Sequence, residues 1–191
     1  MRLFVAAELS EGLRATATRC ADQLRDRLTH VNAARGLRWV VPANMHLTVW
    51  FLGELSEPRA AAVLEALRAP LGMRPFAIEV GGFGAFPPAG APRVIWMGLT
   101  AGLEELARAH DLVGARLQPW GFPPDGRAYS AHLTIARVKD GQARTRAAIR
   151  QAVAHESCTA GVCTIGDLTV FRSRTAPSGA VYEPLLRVPL E

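Results

Sequence analysis

The tetrad His46-Leu47-Thr48-Val49 returns 86 residues later as His132-Leu133-Thr134-Ile135. For a chain of 191 residues with 5 histidines, chance places roughly 0.003 copies of H-L-T-[VI] in such a composition, so two copies constrain the fold. Both segments read as strands. Side chains alternate across a strand, which sets His46 and Thr48 on one face and Leu47 and Val49 on the other; His132 and Thr134 stand in the same way against Leu133 and Ile135. Each tetrad offers an imidazole and a hydroxyl to one space. Two pseudo-symmetric lobes packed face to face would bring both pairs into one cleft.

The rest of the chain supports a two-lobed α+β protein. Arg2 to Glu8 reads as a strand, and Ser10 as the N-cap of a helix carrying Leu13, Ala17, Cys20, Leu24 and Leu28 on one face and ending before Gly36. Arg38 to Val41 is a short extended piece, and His46 to Leu52 a second strand. A helix follows with Pro58 in its first turn and Ala62, Leu64 and Leu67 on its buried side. Phe76 to Val80 and Arg93 to Leu99 form a strand pair joined by a loop from Gly81 to Pro92. Leu103 to Leu117 is a helix with Leu103, Leu106, His110, Val113 and Leu117 at helical spacing. The loop from Pro119 to Arg127 leads to a strand over Ala131 to Val138, a helix over Arg144 to Ala154, and closing strands over Cys163 to Phe171 and Ala180 to Val188. This predicts about seven strands and four helices, mostly antiparallel because several connections are too short for crossovers. No low-complexity linker divides residues 1–191, so one domain with two intertwined lobes is expected, each carrying one motif (46–49 and 132–135).

Composition narrows the class further. With 49% hydrophobic and 20% charged residues, the chain can bury roughly 70% of its unfolded surface without staples. No apolar run is long enough for a membrane span, and Met1 to Ser10 lacks the regions of a signal peptide; a cytoplasmic protein is expected. Cys20, Cys158 and Cys163 are odd in number without a CxxC pair, and read as reduced structural residues. The 22 basic residues are arginines apart from Lys139. A guanidinium fork suits phosphate, although the abundance of Ala, Gly and Pro also fits a GC-rich codon bias, so the charge of +5 is a weak pointer to an anionic partner.

The paired motifs suit in-line phosphoryl chemistry without metal. One neutral histidine takes a proton from water while the other, protonated, gives one to the leaving oxygen, and hydroxyls with an arginine hold the charged oxygens. Histidine is the side chain whose ordinary pKa allows both roles near neutrality. Spacing alone does not choose which is acid and which is base. Neither motif has a second His, Cys or carboxylate within two to four residues on its face, so no metal is expected. His30, His110 and His155 lie in or at the ends of predicted helices without partners and read as structural. No phosphate loop of the G-x-x-x-x-G-K-[ST] kind is present, and Gly81-Gly82-Phe83-Gly84 lies between strands instead of opening a helix.

The motifs resemble those of the two-histidine phosphoesterase superfamily, in its branch of RNA 2',3'-cyclic phosphodiesterases, also called 2'-5' RNA ligases. The likeness extends from Met1-Arg2-Leu3-Phe4-Val5-Ala6 through Arg38-Trp39-Val40, Asn44-Met45-His46-Leu47-Thr48, Phe51-Leu52-Gly53-Glu54, Gly84-Ala85-Phe86-Pro87 and Pro92-Arg93-Val94-Ile95-Trp96, to His132-Leu133-Thr134-Ile135-Ala136-Arg137 and an ending with Ser173, Gly179 and Tyr182. Ala131 stands where the family often has proline. The resemblance implies two antiparallel sheets flanking a cleft and hydrolysis of a terminal 2',3'-cyclic phosphate to a 2'-phosphate. It implies His46 as proton donor, His132 as proton acceptor, and Thr48 and Thr134 as phosphate-binding residues. Arg137 and Phe51 match the family's positions five residues after each histidine, as phosphate ligand and base platform. Strict alternation puts both on the face opposite the histidines, so either a bulge returns them to the cleft or they serve elsewhere. Trp50 shares the His46 face on strict alternation and is a rival platform.

The expected partner is RNA with a 2',3'-cyclic phosphate end, or a small cyclic nucleotide, acted on by a monomer without cofactor. Two other readings share the residues: a nucleotide or RNA-end binding module without turnover, and weak reversible 2'-5' ligation in which an RNA hydroxyl replaces water.

Overall fold

The computed structural model describes residues 1–123, 126, 128–139, 143–177 and 179–191. Nine strands and four α-helices are present among them, in the order β1 (Arg2–Glu8), α1 (Glu11–His30), β2 (Leu37–Trp39), β3 (His46–Glu54), α2 (Glu57–Ala66), β4 (Phe76–Phe86), β5 (Val94–Ala101), α3 (Leu103–Leu117), β6 (Leu133–Val138), α4 (Ala143–His155), β7 (Thr159–Ile165), β8 (Asp167–Ala176) and β9 (Gly179–Pro189). No helix among the described residues is long and apolar enough to cross a membrane.

The strands run β7-β4-β5-β6-β3-β1-β8-β9, with β2 pairing β6, and every pairing is antiparallel. The two halves of this curled sheet meet between β3 and β6, the strands that carry the repeated tetrads, at the pair Leu47↔Leu133. Chain order does not follow sheet order. β1 and β3 belong to one half, β4 to β7 to the other, and β8 and β9 return to the first.

Both leucines of the central pair are fully buried, in one core with Leu24 and Leu28 of α1 and Leu106 and Leu117 of α3. Helix α1 begins where the side chain of Ser10 accepts a hydrogen bond from the Leu13 amide, relieving one of the unpaired donors of the first turn. It packs with α4 over β7 and β4, while α3 lies against β3. The opposite face of β1 and β8 carries a smaller cluster of Phe4, Ala6 and Phe171, with Tyr182 of β9 against it.

Several expectations are corrected. Cys20 and Cys158 are joined in a disulfide with Cα atoms 5.9 Å apart, and Cys163 alone is free and buried. Residue parity carries no distances, and the packing of α1 on β7 brings together cysteines 138 positions apart in sequence. The stretch after Val80 continues β4 to Phe86, because Gly84 admits the ring of Trp96 from β5: a Cβ there would lie 2.2 Å from that ring. The stretch Cys163 to Phe171 is split at Gly166 between β7 and β8. Helix α2 buries Ala60, Val63 and the following Leu67, with Ala62 and Leu64 only half-buried. Leu103 opens α3 on its exposed side. The segment before β6 stays irregular, so His132 immediately precedes the strand; Arg127, the expected end of the preceding loop, lies outside the described residues.

Candidate active site

Antiparallel continuation from Leu47↔Leu133 sets His46 beside Thr134 and Thr48 beside His132. Because the leucines point into the core, alternation turns all four polar side chains to the other face. The repeated tetrad thus becomes a near two-fold arrangement about one cross-strand pair.

Each imidazole is held in the same way. Nδ1 of His46 lies 2.8 Å from the carbonyl oxygen of Asn44, and Nδ1 of His132 lies 2.8 Å from that of Ser130, in both cases two residues earlier. A carbonyl only accepts, so each Nδ1 carries the proton and donates it, leaving Nε2 of each ring for substrate. The rings have different walls. His46 stacks on Phe4 at 4.8 Å and meets Tyr182 edge-on at 5.2 Å; His132 meets Phe86 edge-on at 5.0 Å.

This setting acts on His46. Enclosure by aromatic rings disfavours the imidazolium and lowers its pKa from 6.5 to about 4, the hydrogen bond to Asn44 partly opposing the shift and the charges of Arg137 and His132 adding to it. His46 is therefore neutral at pH 7.

A β-bulge is repeated along with the tetrad. Against β1, Ala6 pairs with Thr48 and Val5 with Trp50, leaving Val49 as the extra residue. Against β5, Trp96 pairs with Thr134 and Ile95 with Ala136, leaving Ile135 extra. In both strands the bulge is the third residue after histidine, and it reverses the alternation beyond it. Phe51 and Arg137 consequently return to the histidine side, where both line a cavity of about 350 Å³ with His46, Thr48 and Thr134. Trp50 goes the other way. Its ring is buried, 4.7 Å from His110 and packed over Gly114 of α3, where a Cβ would come within 2.6 Å. The expected sharing of a face by Trp50 and His46 is thus corrected, and Trp50 offers no accessible platform.

The structure adds residues that sequence reasoning did not place in the site: Arg2, Phe4, Ser173, Thr175 and Tyr182 line the same cavity. Arg2 and Phe4 share one face of β1, and Ser173 and Thr175 share one face of β8. Their i, i+2 spacing was a usable signal, but the neighbourhood of β1, β8 and β9 was not visible without the topology. His110, read as lacking partners, lies between Trp50 and Tyr129. No cluster of three His, Cys, Asp or Glu side chains suited to a metal ion occurs among the described residues.

Comparison with known proteins agrees with this geometry. Residues 12–96 and 99–182 match the family model described as LigT like Phosphoesterase, one segment around each tetrad. The chain belongs to the LigT-like phosphoesterase family. Among its curated relatives, an RNA 2',3'-cyclic phosphodiesterase of Archaeoglobus fulgidus is 32% identical, with 97% of this chain and 98% of that protein aligned. One of Aeropyrum pernix is 33% identical over 87% of this chain and 92% of the other. The crystal structure of a Thermus thermophilus protein superposes with a TM-score of 0.74 at 29% identity, covering 100% of this chain and 98% of that one. E. coli LigT complexed with 3'-AMP shares the fold, with a TM-score of 0.70 at 24% identity over 99% and 97% of the two chains.

Proposed function

We propose that this LigT-like phosphoesterase is an RNA 2',3'-cyclic phosphodiesterase, hydrolysing a terminal 2',3'-cyclic phosphate to a 2'-phosphate without a metal ion. The observation that carries this reading is the pair of imidazoles, each held at Nδ1 by the carbonyl two residues before it, on strands joined at Leu47↔Leu133. Full-length relatives bearing that activity in their names support it.

In this mechanism Nε2 of His132 takes a proton from water as the water oxygen attacks phosphorus. The bond from phosphorus to O3' breaks in line, and Nε2 of His46 protonates the departing O3'. Thr48, Thr134 and Arg137 hold the non-bridging oxygens as charge builds on them. His46 must acquire its proton on binding. The phosphate anion entering beside it favours the imidazolium that burial disfavours, so substrate itself charges the acid. Phe51, exposed at the cavity mouth, offers a face on which the terminal base can stack. One tetrad comes from each half of the sheet, so residues 1–191 act as a single catalytic unit.

The test is incubation, in EDTA, with an oligoribonucleotide ending in a 2',3'-cyclic phosphate, the product isomer being identified by mass and phosphatase sensitivity. A 2'-phosphate is expected, with a loss of at least about a hundredfold in His46→Ala and in His132→Ala. Tight binding of the end without turnover from pH 5 to 9 would instead identify a binding module.

A further inference from the structure

The cavity lined by His46, Thr48 and Thr134 extends along β1 and β8, and its outer wall carries a second cation beside Arg137. Arg2 and Phe4 share a face of β1. Phe4 stacks on the His46 ring, and Arg2 stands two residues further out, about 7 Å along the strand. Its guanidinium lies over the ring of Phe51, 5.1 Å from the centroid, which holds it at the rim of the cavity that both residues line.

This guanidinium has no carboxylate partner among the described residues. Its cross-strand neighbour Glu54 is engaged at 3.0 Å by the amino group of Met1. The nearby Arg172 and Arg174 of β8 both pair with Glu183. Beside Arg2, the register places Ser173 directly opposite on β8, and Thr175 continues the same wall. Neither hydroxyl has a side-chain hydrogen-bond partner among the described residues. An unpaired guanidinium flanked by free hydroxyls, in a cleft that already binds one phosphate in the reading above, is a second anion site.

We infer that Arg2, with Ser173 and Thr175, binds a second phosphate one nucleotide from the reacting one: the 5'-phosphate of the terminal nucleotide. The inference rests on the cyclic phosphodiesterase reading and assigns its substrate class. In RNA that group is the phosphodiester linking the terminal nucleotide to the rest of the strand, so the site favours polymer ends over nucleoside cyclic phosphates. A free 5'-phosphorylated mononucleotide presents the same chemistry, and the substrates below separate the two.

The experiment compares three substrates: adenosine 2',3'-cyclic phosphate, the same compound carrying a 5'-phosphate, and the dinucleotide ApA ending in a 2',3'-cyclic phosphate. For the native enzyme, kcat/KM is expected to rise roughly tenfold or more on adding the 5'-phosphoryl group, the worth of one charge-assisted hydrogen bond. Arg2→Gln should remove that gain, and Arg2→Lys should keep part of it. A gain in both phosphorylated substrates identifies the phosphate as the recognised group. A gain confined to the dinucleotide and lost in Arg2→Gln identifies the diester linkage as its source. A gain that survives Arg2→Gln, or no gain at all, overturns the inference. Should the native enzyme turn over none of the three, the cyclic phosphodiesterase reading fails first. Binding of adenosine 2',5'-bisphosphate then decides the second site: Arg2→Gln must weaken it by roughly tenfold, and an unchanged affinity overturns the site.

Discussion

The phenol of Tyr129 donates a hydrogen bond to the main-chain carbonyl of Thr48 at 2.9 Å. It ties the irregular segment leading into one tetrad to the strand that carries the other. Its ring is stacked 4.6 Å from His110, almost parallel at 19°, and His110 lies against Trp50 on its other side. Burial raises the pKa of the phenol above its ordinary value, so it remains a donor across the working range of pH. The three rings in contact connect α3 to β3 and to the segment that leads into β6.

Tyr129→Phe removes the hydrogen bond while keeping the stack. The Thr48 carbonyl loses a partner, at a cost of about 1 kcal/mol in stability. The larger effect is expected on turnover, because small displacements of positioned groups are amplified in rate. A fall in kcat of about tenfold with little change in KM is predicted, measured by steady-state kinetics beside thermal melting. A loss of stability with kcat intact would reduce Tyr129 to a packing residue.

The partly buried imidazole of His46 predicts a pH signature in stability. Its pKa is about 4 when folded and about 6.5 when unfolded, so between these values the unfolded chain binds more protons. Stability therefore rises with pH through this window and is lost as pH falls from 6.5 towards 4, by roughly 3 kcal/mol at most. Denaturation of His46→Gln should show a correspondingly weaker dependence over that range. Proton NMR should find the His46 ring titrating near 4 without ligand and well above that with bound phosphate. An imidazole already charged at pH 6 in the empty cleft would refute substrate-induced protonation.

Much of the site was legible because its repeat lay in a single short pattern. Alternation along a strand placed His46 with Thr48 and His132 with Thr134, and the central pair Leu47↔Leu133 confirms the opposite, buried face. The same rule failed two residues later. A bulge adds a residue to one strand of a pair, and Val49 and Ile135 are apolar residues that look like any other strand position; nothing local marks them as extra. Phe51 and Arg137 could be assigned to the cleft by sequence likeness but not by periodicity, and Trp50 was put on the wrong face by strict counting. Arg2 and Tyr182 meet the site through the order β3-β1-β8-β9. That order depends on long-range pairing.

The bulge also separates two neighbouring aromatics by function. Phe51→Ala removes an exposed ring at the cavity mouth and should leave stability within about 0.5 kcal/mol, while raising KM by about tenfold as a base contact is lost. Trp50→Ala removes a buried ring from beneath α3 and should cost about 3–5 kcal/mol. Denaturant melts and kinetics on the two variants check this division. If both lost affinity equally without destabilisation, the assignment of faces would be wrong.

The disulfide gives a prediction about stability without chemistry. Cys20 lies on the buried face of α1, and Cys158 immediately precedes β7; neither lines the cleft. The bond closes a loop of 138 residues, and removing such a link releases conformational freedom in the unfolded chain, typically about 2–4 kcal/mol. Reduction, or the paired change Cys20→Ser with Cys158→Ser, should therefore lower Tm by about 5 °C or more. The kcat/KM at temperatures below the transition should be unchanged, since the tetrads are held by β3, β6 and their carbonyl contacts and not by α1. Without reductant, thiol titration should find no cysteine in the native protein, because Cys163 is buried, and one after unfolding. Three thiols titrating in the unfolded, unreduced protein would mean that the link does not form.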